Sequence, residues 1–238
     1  MDEKIFTIFA GVNGAGKSTL YNSPILEKEK LGIRINTDEI VKTFGDWKNE
    51  ADQVKAGKIA IKLRKDCIEK GLSFNQETTL TGKSIIKLVD QVKEKGYKVH
   101  LFYVGVNSPE IAKERIAGRV KKGGHDIPNK TVEKRYYESI ENLKIILPKV
   151  DLAEIYDNSK FYALALAKRE GVIELQIKDL PEWLKNITKE LNKSKENTNE
   201  KKTEIIEKPK SEKEKPKSEK EKPKREKRSR IRSNSNER

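Results

Sequence analysis

Gly11-Val12-Asn13-Gly14-Ala15-Gly16-Lys17-Ser18 places two glycines, a lysine and a hydroxyl at the spacing G-x-x-x-x-G-K-S. The chemistry this spacing serves is the grip of a polyphosphate. Glycines let successive backbone N–H groups turn toward phosphate oxygens, and a helix starting at the same point adds a favourable dipole. Lys17 has the reach for the β- and γ-phosphates, and the Ser18 hydroxyl is suited to hold Mg²⁺. The expected nucleotide-binding residues are therefore Gly11, Asn13, Gly14, Ala15, Gly16, Lys17, Ser18 and Thr19, with a purine nucleoside triphosphate and Mg²⁺ as cofactors. Context separates this from a glycine turn that binds nothing. The apolar run Ile5-Phe6-Thr7-Ile8-Phe9-Ala10 reads as a buried strand before it, and helix-competent residues follow.

A phosphate cradle does not distinguish a kinase from a motor or a switch GTPase, so the carboxylates and arginines matter more. Asp38 follows Ile33-Arg34-Ile35-Asn36-Thr37, a strand-like run, which puts it at the carboxyl edge where open α/β sheets bind ligands. There it is suited to take a proton from an acceptor hydroxyl, or to hold Mg²⁺ through water. The structural alternative is that Thr37 or Asp38 caps the helix that follows. Glu77-Thr78-Thr79 ends a third strand-like run and suits an acceptor rich in hydroxyls, with capping of a helix near Gly82 as its alternative. Arg115 and Arg119 lie one helical turn apart, a spacing that lets both face one anion and neutralise a phosphoryl group in transfer. Solvated surface arginines are the plain alternative. Arg135 is a weaker third cation, and Gly123-Gly124-His125 reads as a hinge for a lid. The guanine-specificity pattern Asn-Lys-x-Asp and a hydrophobic run ending in paired carboxylates are both missing, which points to a small-molecule kinase.

These groups need a scaffold. Strand-like runs at Lys4–Gly11, Ile33–Thr37, Ser73–Glu77, Lys98–Val106 and Ala153–Tyr156 alternate with helical patterns at Ala51–Lys70, Gly82–Lys95, Pro109–Lys121 and Lys130–Leu147. The expected class is α/β, a P-loop NTPase with a mostly parallel sheet flanked by helices, over residues 1–191. Phe161–Lys168 and Val172–Lys178 flank a Glu170-Gly171 turn as a hairpin, and Pro181–Leu191 reads as a last short helix. Residues 192–238 read as a disordered tail. From Lys193 to Arg238 there are 18 Lys or Arg against 10 Glu, which is +8 of the total +14. Its seven-residue repeat, begun at Lys208, Lys215 and Lys222, carries proline and no apolar seam. The basic end, Lys224 to Arg232, is suited to nonspecific contact with nucleic acid or an anionic surface. Cys67 stands alone, so no internal disulfide forms, and a half-buried inert thiol is expected. With no signal-like start and no apolar run of membrane-spanning length, a soluble cytoplasmic protein is expected.

Taken with Ile35-Asn36-Thr37-Asp38-Glu39, Glu77-Thr78-Thr79-Leu80, Gly123-Gly124-His125-Asp126-Ile127-Pro128 and Tyr156-Asp157-Asn158-Ser159, the cradle resembles the zeta toxin family of P-loop kinases, and within it a compact bacterial branch. The resemblance spans residues 4 to 160. It implies phosphorylation of a hydroxyl on a nucleotide sugar such as UDP-N-acetylglucosamine, with an antitoxin as protein partner. By the same resemblance Lys17 and Ser18 serve ATP and Mg²⁺, and Asp38 is the general base. Glu77 and Thr79 meet the acceptor, beside Thr78 from the residue reading above, Arg115 and Arg119 stabilise the transferred phosphate, and Asn158 lies near the adenine. Two alternatives stay open: a nucleic-acid-associated ATP-binding protein or polynucleotide end kinase localised by its tail, and a kinase for another small hydroxylated metabolite.

Overall fold

Strands form where β-branched and aromatic residues are densest. β1 (Ile5–Ala10), β2 (Ile33–Ile35), β3 (Phe74–Thr78), β4 (Lys98–Gly105) and β5 (Leu152–Asp157) run parallel. The antiparallel strands β6 (Ala163–Arg169) and β7 (Val172–Gln176) extend one edge, in the order β2-β3-β1-β4-β5-β6-β7. The computed structural model describes residues 3–24, 26 and 31–189. The expected tail, its repeat and its basic end, and residues 190–191 of the expected last helix, lie outside the described residues.

β1 and β4 are buried on both faces, which is why they read as near-continuous apolar runs. Alternate side chains of β1 feed two cores, Phe6, Ile8 and Ala10 into one and Phe9 into the other. Phe6 stacks on Phe74 at 4.5 Å between centroids on one side, and Phe9 stacks on Phe102 at 5.3 Å on the other. α3 (Glu50–Lys70) and α4 (Ser84–Glu94) cover the first core, α1 (Lys17–Tyr21) and α5 (Pro109–Lys121) the second, and α6 (Asn129–Ile146) contributes to both. The chain leaves β1 toward β2 and leaves β3 toward β4, so neighbouring strands β1 and β3 send their following segments in opposite directions. The crevice at their carboxyl ends is where a doubly wound sheet holds its ligand.

Three local expectations are corrected. The second strand stops at Ile35, because Asn36 is the helix cap: its Oδ1 accepts from Asp38 N at 3.0 Å. Thr37 opens α2 (Thr37–Lys42) rather than ending a strand, and neither Thr37 nor Asp38 is the cap. Glu77, Thr78 and Thr79 do not cap the next helix, which begins at Ser84 without a side-chain cap. Cys67 is fully buried, not half-buried, and burial pushes its thiol pKa up.

The hairpin turns through Glu170 and Gly171, both at positive φ, as expected for a two-residue loop. Beyond it, a helix over residues 182–189 seats Trp183 against the end of β4. A Cβ on Gly105 would stand 2.3 Å from the Trp183 ring, so glycine is the side chain that fits there. Gly105→Ala is expected to destabilise the protein by about 1–3 kcal/mol through overpacking, read as a lower urea midpoint at unchanged slope. Among the described residues no helix is long and apolar enough to cross a membrane.

Candidate active site

The P-loop joins β1 to α1 by a left-handed turn at Gly16, with φ 112° and ψ 19°, a conformation that side-chain-bearing residues avoid. A Cβ there would also meet Asn158 Nδ2 at 2.7 Å. Val12 carbonyl closes the loop, accepting from Ala15 N at 3.1 Å and from Lys17 Nζ at 3.2 Å. Lys17 is 7% exposed, and burial lowers its pKa. Glu77 and Asp38 oppose that shift while Arg119 and Arg135 add to it. A desolvated ammonium with two guanidiniums in its field is a site that an anion would relieve.

Glu77 is the hub of the opposite wall. Ser18 Oγ donates to Glu77 Oε1 at 3.0 Å and to Oε2 at 3.2 Å, and Lys17 Nζ stands 3.9 Å from Oε1. Arg34 Nη2 donates to Glu77 Oε2 at 3.0 Å, and Asn36 Nδ2 donates to it at 3.3 Å. The Arg34 guanidinium itself lies 3.6 Å over the Tyr21 ring and donates from Nη1 to Asn75 Oδ1 at 3.2 Å. A guanidinium fixed by an aromatic face and an amide holds the carboxylate in one orientation. Sequence reasoning passed over Arg34 and Asn36. The available signal was a charged residue alternating between Ile33 and Ile35 beside a buried sheet.

Above the carboxyl edge lies a cavity of about 460 Å³. Asn13, Lys17, Asp38, Glu77, Thr78 and Thr79 all line it, so the cradle and both carboxylate-bearing segments share one space. Asp38 is exposed to it, and its carboxylate makes no hydrogen bond or ion pair among the described residues. Thr78 Oγ1 accepts from Leu80 N at 3.0 Å, and Thr79 and Thr81 share a 2.8 Å hydroxyl pair. Leu80, buried and at φ 59°, is held in its left-handed conformation where Asn142 Nδ2 donates to its carbonyl at 2.8 Å and to that of Gly82 at 3.0 Å. Such a conformation costs on the order of 1–3 kcal/mol and is fixed here from α6.

The paired arginines diverge. Arg119 lines the cavity and donates from Nε to the His125 carbonyl at 3.1 Å. Arg115 does not line it. Its Nη2 donates to the Asn158 carbonyl at 2.6 Å, while Nη1 is buried without a hydrogen-bond partner among the described residues. Four residues of helix separate the two Cα atoms by about 6 Å along the axis, enough to send one side chain to the loop after β5 and the other to the loop after α5. Arg135 of α6 brings another guanidinium to the cradle side of the cavity, where its Nη1 donates to Asn13 Oδ1 at 2.9 Å. Asn158 Nδ2 donates to the Ala15 carbonyl at 2.8 Å, so this residue braces the P-loop itself. Thr19 is exposed on α1. The expected hinge segment is docked: the His125 ring meets Trp47 edge-on at 4.3 Å, and burial lowers the His125 pKa. A second cavity of about 480 Å³ continues beneath it and shares Asp38, Gln53 and Arg119 with the first.

A P-loop at the carboxyl edge of a five-strand parallel core, with Asp38 in the same cavity, gives the chain a P-loop kinase fold. The chain belongs to the zeta toxin family, which it matches over residues 2–172. A Haemophilus influenzae Rd protein is 38% identical over 128 residues, 54% of this chain and 89% of that one. Among solved structures, the PezAT toxin–antitoxin system of Streptococcus pneumoniae is 19% identical with a TM-score of 0.53, covering 87% of this chain and 89% of that chain. The AvrRxo1-ORF1:-ORF2 complex with ATP is 16% identical with a TM-score of 0.58, covering 73% of this chain and 60% of that one.

Proposed function

We propose that the chain transfers the γ-phosphoryl group of ATP to a hydroxyl of a nucleotide sugar such as UDP-N-acetylglucosamine. The observation that carries this reading is Asp38, a carboxylate without a hydrogen-bond or ion-pair partner among the described residues, in the cavity that Lys17 also lines. The P-loop amides and Lys17 hold the triphosphate, and Asn158 and Arg115 keep the loop in shape. Asp38 accepts the hydroxyl proton as the oxygen attacks the γ-phosphorus. The bond to the β-phosphate oxygen breaks, ADP leaves, and Lys17, Arg119 and Arg135 offset the charge on the transferred group. Ser18 and Glu77, a hydroxyl and a carboxylate 3.0 Å apart, are the hard oxygen donors that would hold Mg²⁺, which supplies charge neutralisation on the β- and γ-oxygens. Glu77 is thus turned to the metal side, and Thr78 and Thr79 are left to meet the acceptor.

Phosphate transfer from γ-labelled ATP tests this, with UDP-N-acetylglucosamine, other small hydroxylated metabolites and nucleic-acid 5′ ends as acceptors. Label on nucleic-acid ends and on no sugar would reject the reading. Gly57 gives a separate check, because it lines the cavity from α3 and a Cβ there would meet nothing within 4 Å. Gly57→Leu gains helix propensity and fills the acceptor side. Its expected result is an acceptor KM about tenfold higher with ATP affinity unchanged, a loss of about 1.4 kcal/mol in acceptor binding. An antitoxin partner belongs to the same proposal, prompted by the toxin–antitoxin neighbour.

A further inference from the structure

The basic lining of the cavity extends beyond the phosphate cradle. Arg64 comes from α3, the crossover between β2 and β3, and lines the cavity next to Gln76 of β3. Its one hydrogen bond among the described residues is long, from Nη1 to Gln76 Oε1 at 3.4 Å, and it has no ion pair there. The other cations of the cavity are committed: Lys17 to Val12 and Glu77, Arg119 to the His125 carbonyl, Arg135 to Asn13. Arg64 is also partly desolvated, which lowers its pKa. A guanidinium offers five N–H donors in a planar fork, and with one of them weakly used it lacks the partner that such a group takes most strongly, an oxyanion.

The helix face that carries Arg64 has the shape for a long ligand. Gln53, Gly57, Ala60 and Arg64 follow one another at four- and three-residue spacing and all line the cavity. The two central residues are small, so the wall is open between its polar ends. Eleven residues of helix span roughly 16 Å. Gln53 is at the Asp38 end, since both also line the adjoining cavity.

We infer that Arg64 binds an anionic group of the acceptor itself, a phosphoryl or carboxylate oxyanion set well away from the reacting hydroxyl. This rests on the kinase reading above and names the residue that would hold the charged part of its anionic acceptor, and so select that acceptor against neutral sugars. A neutral sugar or polyol would leave the guanidinium unpaired in the closed complex, and a buried polar group left unpaired is how a site rejects the wrong ligand.

The test is calorimetric titration of the full chain, saturated with Mg²⁺ and a non-hydrolysable ATP analogue, with inorganic pyrophosphate and in parallel with malonate. Wild type is expected to bind at least one of the two anions, and whichever binds gives the chemistry of the subsite. Arg64→Gln is expected to weaken that binding about tenfold or more, and Arg64→Lys less, with analogue affinity and melting temperature unchanged. Failure of both anions to bind the loaded wild type, or equal binding by Arg64→Gln, overturns the inference. So does phosphorylation of N-acetylglucosamine as efficient as that of UDP-N-acetylglucosamine. An Arg64-dependent anion site in a chain that phosphorylates no nucleotide sugar would uphold the inference and reject the acceptor proposed above.

Discussion

Lys17→Ala is expected to leave a folded protein that scarcely takes up ATP, with phosphate transfer lowered about 10²–10³-fold or more. Lys17 is the cation nearest the P-loop bend, buried and held by the Val12 carbonyl. Removing it takes away the charge that a triphosphate would meet, while Ser18, Arg34 and Asn36 still hold Glu77. The fold should tolerate the change, because a desolvated ammonium flanked by Arg119 and Arg135 contributes little net stability where it stands. Calorimetry with ATP and a thermal melt separate the two effects. Unaltered ATP affinity in a folded variant would remove the basis of the site, and any growth arrest caused by expressing the chain should disappear with the lysine.

Asp38→Asn is expected to behave differently, with kcat down about 10²–10⁴-fold and ATP affinity within twofold of wild type. The amide keeps the size of the carboxylate and loses its capacity to take a proton. The start of α2 survives, since the cap is Asn36 and Asp38 enters that cap only through its backbone N–H. The loss of one acidic charge in the first turn costs a few tenths of a kcal/mol. Single-turnover transfer measured beside equilibrium ATP binding checks the split. A variant that transfers phosphate at the wild-type rate would remove Asp38 from the chemistry.

Much of the scaffold could be read before any coordinates because its signals are local. The apolar runs of β1 and β4 are long enough to be unmistakable, and α5 runs from Pro109 to Lys121 as its periodicity predicts. The P-loop is a motif whose spacing carries its own geometry. The errors fall where neighbouring residues compete for one role: Asn36, Thr37 and Asp38 are all good caps, and only the backbone shows that Asn36 takes the position. Relations between distant segments were not legible. Arg115 and Arg119 share a helix face in sequence, yet their partners belong to different loops. Arg135 reaches Asn13 across 122 positions, and Asn142 holds Leu80 across 62. Arg64 reads as one more charge on a polar helix until β3 brings Gln76 beside it.

The family match stops at residue 172, but the architecture does not. Trp183 Nε1 donates to Asp157 Oδ1 at 3.1 Å, the oxygen that also accepts from Ser159 Oγ at 2.7 Å, and Ser159 Oγ in turn accepts from Asn107 N at 2.8 Å. Leu184 and Ile187 roof the same apolar layer as β1 and β4. A polypeptide trimmed to the homologous boundary would therefore shed the buttress beneath the Asn158 turn. In this molecule, the bracing of the P-loop through Asn158 is set partly by residues beyond the family match.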